Sequence, residues 1–586
     1  MSVDLSKKPF YLNPEQIAWV ENTIANMSLE EKIGQLFVNM GSSRSEEYLT
    51  EMVSKYHIGA VRYNPGKAEE VYEQNRILQT KSKIPLLIAA NTEAGGNGAC
   101  TDGTEIGLQV KIGATQNARY AYEMGRVAGI EAAAIGCNWS FAPIVDINYN
   151  WRNPIISNRV FGSNPEQVLE MSLAYMKGIQ ESGIQPAAKH FPGDGVDERD
   201  QHLSFSINSF SCDEWDQTFG KVYQSLIDAG LPSIMAGHIH LPSYEKYFDP
   251  SLTDEDCLPA TLSKPLLTDL LRGKLGFNGV IVTDASHMVA MTSSMKRSEL
   301  VPQAIAAGCD LFLFFNDPDE DFGYMLDGYR NGVISKERLH EALSRILGLK
   351  AKINLHNTPK EKILPEKEEA MAKIGLPEHK AIFREVADQA ITLVKHKQDI
   401  FPITTKKYPR VLLVNIKGTE GGFGKMVAGS AKSAVEILQE LLSEKGFTVS
   451  VYRSPMDNIL DLPDEEQVQA IRNEYSQKRP IADLVNQYDL VINIANVHMS
   501  TVQRIVWQAT KGTPDIPFYV HEIPTIFVSV QCPFHLADVP QVKTYINAYD
   551  GKQATMEMLV EKLMGHSAFK GVSPVDAYCG FKDTYI

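Results

Sequence analysis

The sequence contains no C-x-x-C pair among its seven cysteines and no H-E-x-x-H among its fourteen histidines. Those absences argue against a zinc or dithiol centre, so no metal and no cofactor are expected. Nor is there a run of about 18 uncharged apolar residues, so no membrane-spanning helix is expected. Positive charge is also short. A net charge of −15 speaks against nucleic acid or an anionic membrane as the main partner. The opening residues, MSVDLSKKPFYLNPEQ, lack the apolar core and small-residue cleavage site of a secretory leader. Cys137 and Cys309 sit in apolar runs as small hydrophobes. The expectation is a reduced, cytoplasmic protein.

A chain of 586 residues exceeds one ordinary core. Through about residue 353, short apolar runs alternate with helical patterns. The runs are Ile58–Val61, Leu86–Ala89, Ser140–Ile144, Pro186–Lys189, Ser233–Ala236, Val280–Thr283 and Leu311–Phe314. Pro165–Ser182 between two of them has apolar residues at three- and four-residue intervals, the mark of an amphipathic helix. Repeated βα units of this kind predict an α/β fold with a (β/α)8 TIM-like barrel over 1–353, although an open doubly wound sheet has the same periodicity. Residues 354–379, rich in Pro, Lys and Glu, read as a linker. From 380 to 586 a second α/β pattern predicts a smaller sandwich domain, with strand-like runs such as Val411–Asn415 and Leu490–Ala495.

The densest chemistry lies in Lys189–His202, KHFPGDGVDERDQH. Asp200 and His202 stand two apart on a loop, a spacing that lets a carboxylate fix an imidazole in one tautomer and raise its basicity. A solvated surface loop explains an isolated D-x-H equally well. Two further motifs close apolar strands, where a parallel barrel carries its reactive groups. GFNGVIVTD ends in Asp284 and continues through His287 and Met288, and LLIAA runs into Asn91-Thr92-Glu93-Ala94-Gly95-Gly96. Taken singly, Asp284 reads also as a helix N-cap, Glu93 as a solvated loop charge and Lys189 as half of an ion pair.

Together these motifs resemble glycoside hydrolase family 3. The resemblance begins at Met27–Phe37 (MSLEEKIGQLF) and continues through Asn158–Gly162 (NRVFG), Lys189–Gly193 (KHFPG), Met235–His238 (MAGH) and Pro259–Ser263 (PATLS). The GFNGVIVTD strand follows, then Ile391–Lys395 (ITLVK). The chain looks most like the β-N-acetylglucosaminidase branch. That resemblance implies Asp284 as nucleophile, His202 held by Asp200 as acid/base, and Arg159, Lys189 and His190 as sugar-binding residues, with Glu93, Asn91, His238 and Met288 around the pocket. Two positions depart from the branch: Asn91 stands where Asp is usual, and Asp194 where His is usual.

The resemblance thus implies a retaining, exo-acting β-N-acetylglucosaminidase whose partner is a small GlcNAc-containing glycoside. A His on a Gly-containing loop can swing in after substrate binds, so loop closure is an expected gate. A homodimer is left open. So are three other readings: a β-glucosidase taking its acid/base from the second domain, with Glu420 in GTEGGFG as candidate; a phosphorylase, because a histidine donor repels phosphate less than a glutamate; and a non-catalytic sugar-binding protein on the same scaffold.

Overall fold

The computed structural model describes residues 3–417, 432–497, 504–507 and 511–586. Two compact units divide the chain: 1–109 with 117–382, and 110–116 with 383–586. Glu420 and its GTEGGFG segment lie outside the described residues.

The first unit is a closed parallel barrel of eight strands, each hydrogen-bonded to its neighbours in chain order. The strands are β1 Phe37–Gly41, β2 Ala60–Tyr63, β3 Leu87–Ala90, β4 Trp139–Ser140, β5 Gln185–Phe191, β6 Ser233–Ala236, β7 Val280–Ala285 and β8 Leu311–Leu313. β3, β5 and β6 are buried at every position, as strands with side chains packed on both faces must be. The helices between them start on recognisable signals. Pro165–Gln180 begins with Asn164 accepting from the Glu166 N–H and with Pro165 at its first turn. Leu29–Gly34 opens on a capping box in which Ser28 and Glu31 satisfy each other's backbone N–H groups.

Seven barrel strands match the expected runs; β1 is the eighth. Its sequence, FVNMG, places Asn and Gly inside the strand and follows a helix after two residues, so it shows neither alternation nor a clean apolar run. β4, Trp139–Ser140, overlaps the expected Ser140–Ile144 only at Ser140. Pro143 has no N–H to give the ladder, and pairing resumes only as an isolated bridge between Ile144 and Lys189.

Within 354–379 the chain forms a 3-10 turn at Lys360–Lys362 and a short helix at Lys367–Met371. The Tyr72 hydroxyl donates to the Pro365 carbonyl, and buried His379 Nδ1 lies 2.8 Å from Glu131 Oε1.

The second unit is built on a six-stranded mixed sheet. Thr392–His396 pairs antiparallel with Thr544–Asn547, which runs parallel with the other four strands. Along Arg410–Lys417 successive side chains point to opposite faces: Val411 and Leu413 join one apolar core, Leu412 and Val414 the other. Residues 110–116 belong to this unit through Lys111, whose Nζ lies 2.5 Å from Asp550 Oδ2 and 2.9 Å from Thr555 Oγ1.

Candidate active site

The strand ends of the barrel bring nearly all the singled-out side chains to one mouth. Asp284 is the fifth residue of β7, and His190 the sixth of β5. Asp284 does not cap a helix: the short helix after it, Val289–Thr292, has Met288 as its N-cap residue. Asp284 Oδ1 instead accepts the N–H of Ala285 at 2.8 Å. Its carboxyl is held down at about 2: burial alone would raise it, but the imidazoles of His190, His238 and His202 and the Ala285 N–H outweigh burial. This carboxylate is therefore ionised throughout the neutral range.

His190 is gripped by a residue that the sequence reading passed over. Asp146, just past β4 and fully buried, lies 2.7 Å from His190 Nδ1 and accepts the His190 backbone N–H at 3.1 Å. The ring's other nitrogen, Nε2, lies 3.9 Å from Asp284 Oδ2.

Glu93 is no solvated loop charge. Arg159 meets it in a two-pronged contact, Nε to Oε2 and Nη2 to Oε1, both at 2.9 Å, and Lys189 Nζ sits 2.6 Å from Oε1. Burial opposes charge on Glu93, yet the two cations drive its pKa well below the usual carboxylate range. Lys189 is lowered by burial and by Arg159, which together exceed the pull of Glu93 and Asp284. Arg62, on β2, is a third, partly exposed cation whose charge acts on Glu93 and Asp284; its Nη1 donates to Asn64 Oδ1 at 2.7 Å, and burial lowers its pKa. The mouth thus concentrates positive charge around two carboxylates.

His202 Nδ1 lies 2.8 Å from Asp200 Oδ1, which also accepts the His202 backbone N–H at 2.8 Å. Asp200 is nearly enclosed, whereas the His202 side chain is 47% exposed, so the ring is held from behind and open in front. Burial lowers its pKa, but the bond to Asp200 and the charge of Asp284 outweigh burial and raise it above the ordinary imidazole value.

The segment carrying this pair is docked rather than swung out. Val289 and Ala290, immediately beyond the Asp284 strand, donate their N–H groups to the carbonyls of His202 (3.1 Å) and Gln201 (3.2 Å). Asp197 braces the same segment by accepting from Arg199 and from the Ile207 N–H.

His238 is fully buried between Thr261 Oγ1, 2.8 Å from Nδ1, and the Ala285 carbonyl, 3.0 Å from Nε2. A carbonyl only accepts, so Nε2 carries the proton and Nδ1 accepts from the threonine. Burial pushes its pKa down to about 4, so His238 is neutral near pH 7 and its pull on Asp284 acts only in acid. Met288 is buried in the turn after β7, its N–H donating to the Ala285 carbonyl. Asn91 lies one residue past β3, and its buried Oδ1 has no hydrogen-bond partner among the described residues. Asp194 sits behind His190 and has its pKa raised to about 7 by burial and by the charge of Asp146. A separate cavity of about 870 Å3 runs beside residues 199–210 and is lined by Phe205, Phe210 and His240, without Asp284 or His202. No cluster of metal-ligating side chains occurs among the described residues.

Chemically, the mouth offers a largely buried, ionised carboxylate, an imidazole held by a second carboxylate, and several cations. Of the residues passed over, Asp146 carried the same signal as Asp284, a carboxylate closing an apolar run (FAPIVD). Arg62 showed as a lone charge inside AVRY.

Comparison with known proteins agrees with this chemistry. The family pattern described as "Glycosyl hydrolase family 3 N terminal domain" matches residues 28–349. A protein of Cellulomonas fimi named beta-N-acetylglucosaminidase/beta-glucosidase is 41% identical over the full length of both chains. Beta-hexosaminidase A of Pseudoalteromonas piscicida is 30% identical over 59% of this chain and 61% of its own. Among solved structures, that of the beta-glucoside phosphorylase BglX superposes with a TM-score of 0.89 at 39% identity, covering 99% of each chain.

Proposed function

Because the chain belongs to glycoside hydrolase family 3, we propose that this glycosidase removes terminal β-linked N-acetylglucosaminyl residues by a retaining, two-step route through Asp284. In the first step a carboxylate oxygen of Asp284 attacks the anomeric carbon. The bond to the leaving oxygen breaks, its electron pair stays on that oxygen, and His202 donates the proton. In the second step His202 takes a proton from the incoming acceptor, whose oxygen displaces Asp284 with net retention. Asp200 keeps the imidazole in one tautomer and stabilises its charged form. Arg159, Lys189 and His190 bind the sugar hydroxyls. The observation that carries this reading is the meeting of a low-pKa carboxylate and the Asp200–His202 pair at one barrel mouth. Support for the sugar comes from the Cellulomonas fimi relative, whose name couples N-acetylglucosaminidase with glucosidase. A silent sugar-binding scaffold is disfavoured because all three reacting groups are present.

A second reading concerns the acceptor. BglX, alike along the whole chain, is named a phosphorylase. An imidazole at the acceptor face, with Arg62 and Arg159 nearby, tolerates a phosphate anion where a glutamate would repel it. The discriminating experiment compares p-nitrophenyl β-N-acetylglucosaminide with the β-glucoside, with and without inorganic phosphate, and identifies the sugar product. Free GlcNAc alone supports hydrolysis, and sugar 1-phosphate with a phosphate-dependent rate supports phosphorolysis. Turnover of neither substrate counts against the proposed function.

A further inference from the structure

The residue between Asp200 and His202 is the most firmly held of the three. Gln201 is 1% exposed, although His202 beside it faces solvent. Its side chain makes two bonds in opposite directions. Nε2 donates to Asp194 Oδ2 at 3.1 Å, and Oε1 accepts the backbone N–H of His238 at 2.8 Å. Its carbonyl receives the Ala290 N–H at 3.2 Å. Asp194 is itself fixed: Oδ1 accepts from Asn153 Nδ2 and from the Gly195 N–H, both at 2.7 Å, and its N–H donates to Asp146 Oδ1 at 2.8 Å. Asp146 is the carboxylate that orients His190. One continuous set of bonds therefore joins the histidine facing Asp284, the end of β6, and the segment bearing Asp200 and His202.

We infer that Gln201 and Asp194 are positioning residues, a clamp that sets His202 over the anomeric centre. The inference rests on the proposed reading of His202 as proton donor. A proton donor displaced by about 1 Å loses most of its effect, so geometry at Gln201 translates into proton transfer. Neither residue reaches the sugar; both act through His202.

Leaving-group dependence separates this role from general destabilisation. In kcat/KM, which reports the first step, an aryl glycoside with a phenol of pKa about 10 needs protonation, whereas 2,4-dinitrophenolate departs without it. Gln201→Met keeps length and burial while deleting both bonds. It is expected to lower kcat/KM about 30-fold or more for the poor leaving group and by less than about 3-fold for the dinitrophenyl glycoside. His202→Ala, run alongside, is expected to show the same slope more steeply. The exchange Gln201→Glu/Asp194→Asn reverses donor and acceptor across one contact and preserves charge. It is expected to stay within about 5-fold of wild type on both substrates, while each single substitution loses activity on the poor one.

Equal loss on both substrates in folded Gln201→Met overturns the clamp, as does an exchange no better than its singles. Where Gln201→Met yields no folded protein, the exchange decides alone. A flat leaving-group response in His202→Ala removes the donor reading, and the inference with it. A steep response there with a flat one in Gln201→Met removes only the inference.

Discussion

Asp146 grips His190 at two points, ring Nδ1 at 2.7 Å and backbone N–H at 3.1 Å, and so turns Nε2 toward Asp284. The grip fixes both the ring orientation and the tautomer, which places the Nδ1 proton on the Asp146 side. Asp146→Asn keeps the shape but changes which nitrogen is protonated. It is expected to lower kcat/KM by about 10- to 100-fold with the fold intact, a change comparable to losing the orienting partner of a functional histidine. Steady-state kinetics with circular dichroism check this; unchanged kinetics would leave Asp146 a purely structural residue.

On the proposed mechanism, the Asp200–His202 pair is expected to set the alkaline side of the pH profile. Asp284 is ionised above about pH 2 and contributes no limb in the working range. His202 must be protonated to donate, and its pKa is raised from 6.5. The first step is therefore expected to fall as pH rises through a value above 6.5. Asp200→Asn removes the partner that holds the proton and is expected to move that limb downward. His202→Ala is expected to abolish it. A kcat/KM profile on the p-nitrophenyl substrate from pH 5 to 9 reads all three.

Glu93 is the structural centre of a charge cluster, paired with both Arg159 and Lys189. Glu93→Gln leaves buried Lys189 and partly buried Arg159 without their shared counter-charge, and removing one partner of a fully buried cluster costs about 3–5 kcal/mol, an upper bound here. The sign with pH follows from the depressed pKa. Stability from an ionised Glu93 is fully present above its ordinary value of 4.5 and is lost as pH falls toward the folded-state value. The melting-temperature gap between wild type and Glu93→Gln is thus expected to be widest near neutrality and to narrow below about pH 4.5.

Much of this was legible in the chain because barrels place chemistry at strand ends. Asp284 and Lys189-His190 each close an apolar run, and Asp200 and His202 announce themselves by spacing. What stayed hidden depends on distance in sequence. Glu93 meets Arg159 and Lys189 across 66 and 96 positions, and no local pattern encodes that pairing. β1 was unreadable because FVNMG has no period, and β4 was overestimated because Pro143 interrupts its ladder. The docking of the 200–202 segment was also out of reach, since it depends on the backbone of Val289 and Ala290 and on one buried glutamine. A Gly-containing loop suggested mobility; in the conformation seen here the segment is hydrogen-bonded to Val289 and Ala290.

Asn91 offers a specificity test. Its buried, unpartnered Oδ1 costs free energy unless a donor meets it. A sugar hydroxyl or amide N–H is such a donor. Asn91→Ala is expected to raise KM about 5- to 20-fold for the substrate that supplies that group and to leave thermal stability unchanged or slightly higher. Comparing GlcNAc and glucose substrates lacking single hydroxyls identifies the donor.

The central claim is that the sugar passes through a covalent bond to Asp284. Incubation with a 2-deoxy-2-fluoro glycoside bearing a good leaving group, followed by proteolysis and mass spectrometry, tests it in one step. Accumulation of a single fluoroglycosyl adduct on the peptide containing GFNGVIVTD, localised to Asp284 and absent in Asp284→Asn, is the expected result. An adduct on Glu93, Asp146 or any other carboxylate, or time-dependent turnover that proceeds in Asp284→Asn, would contradict it.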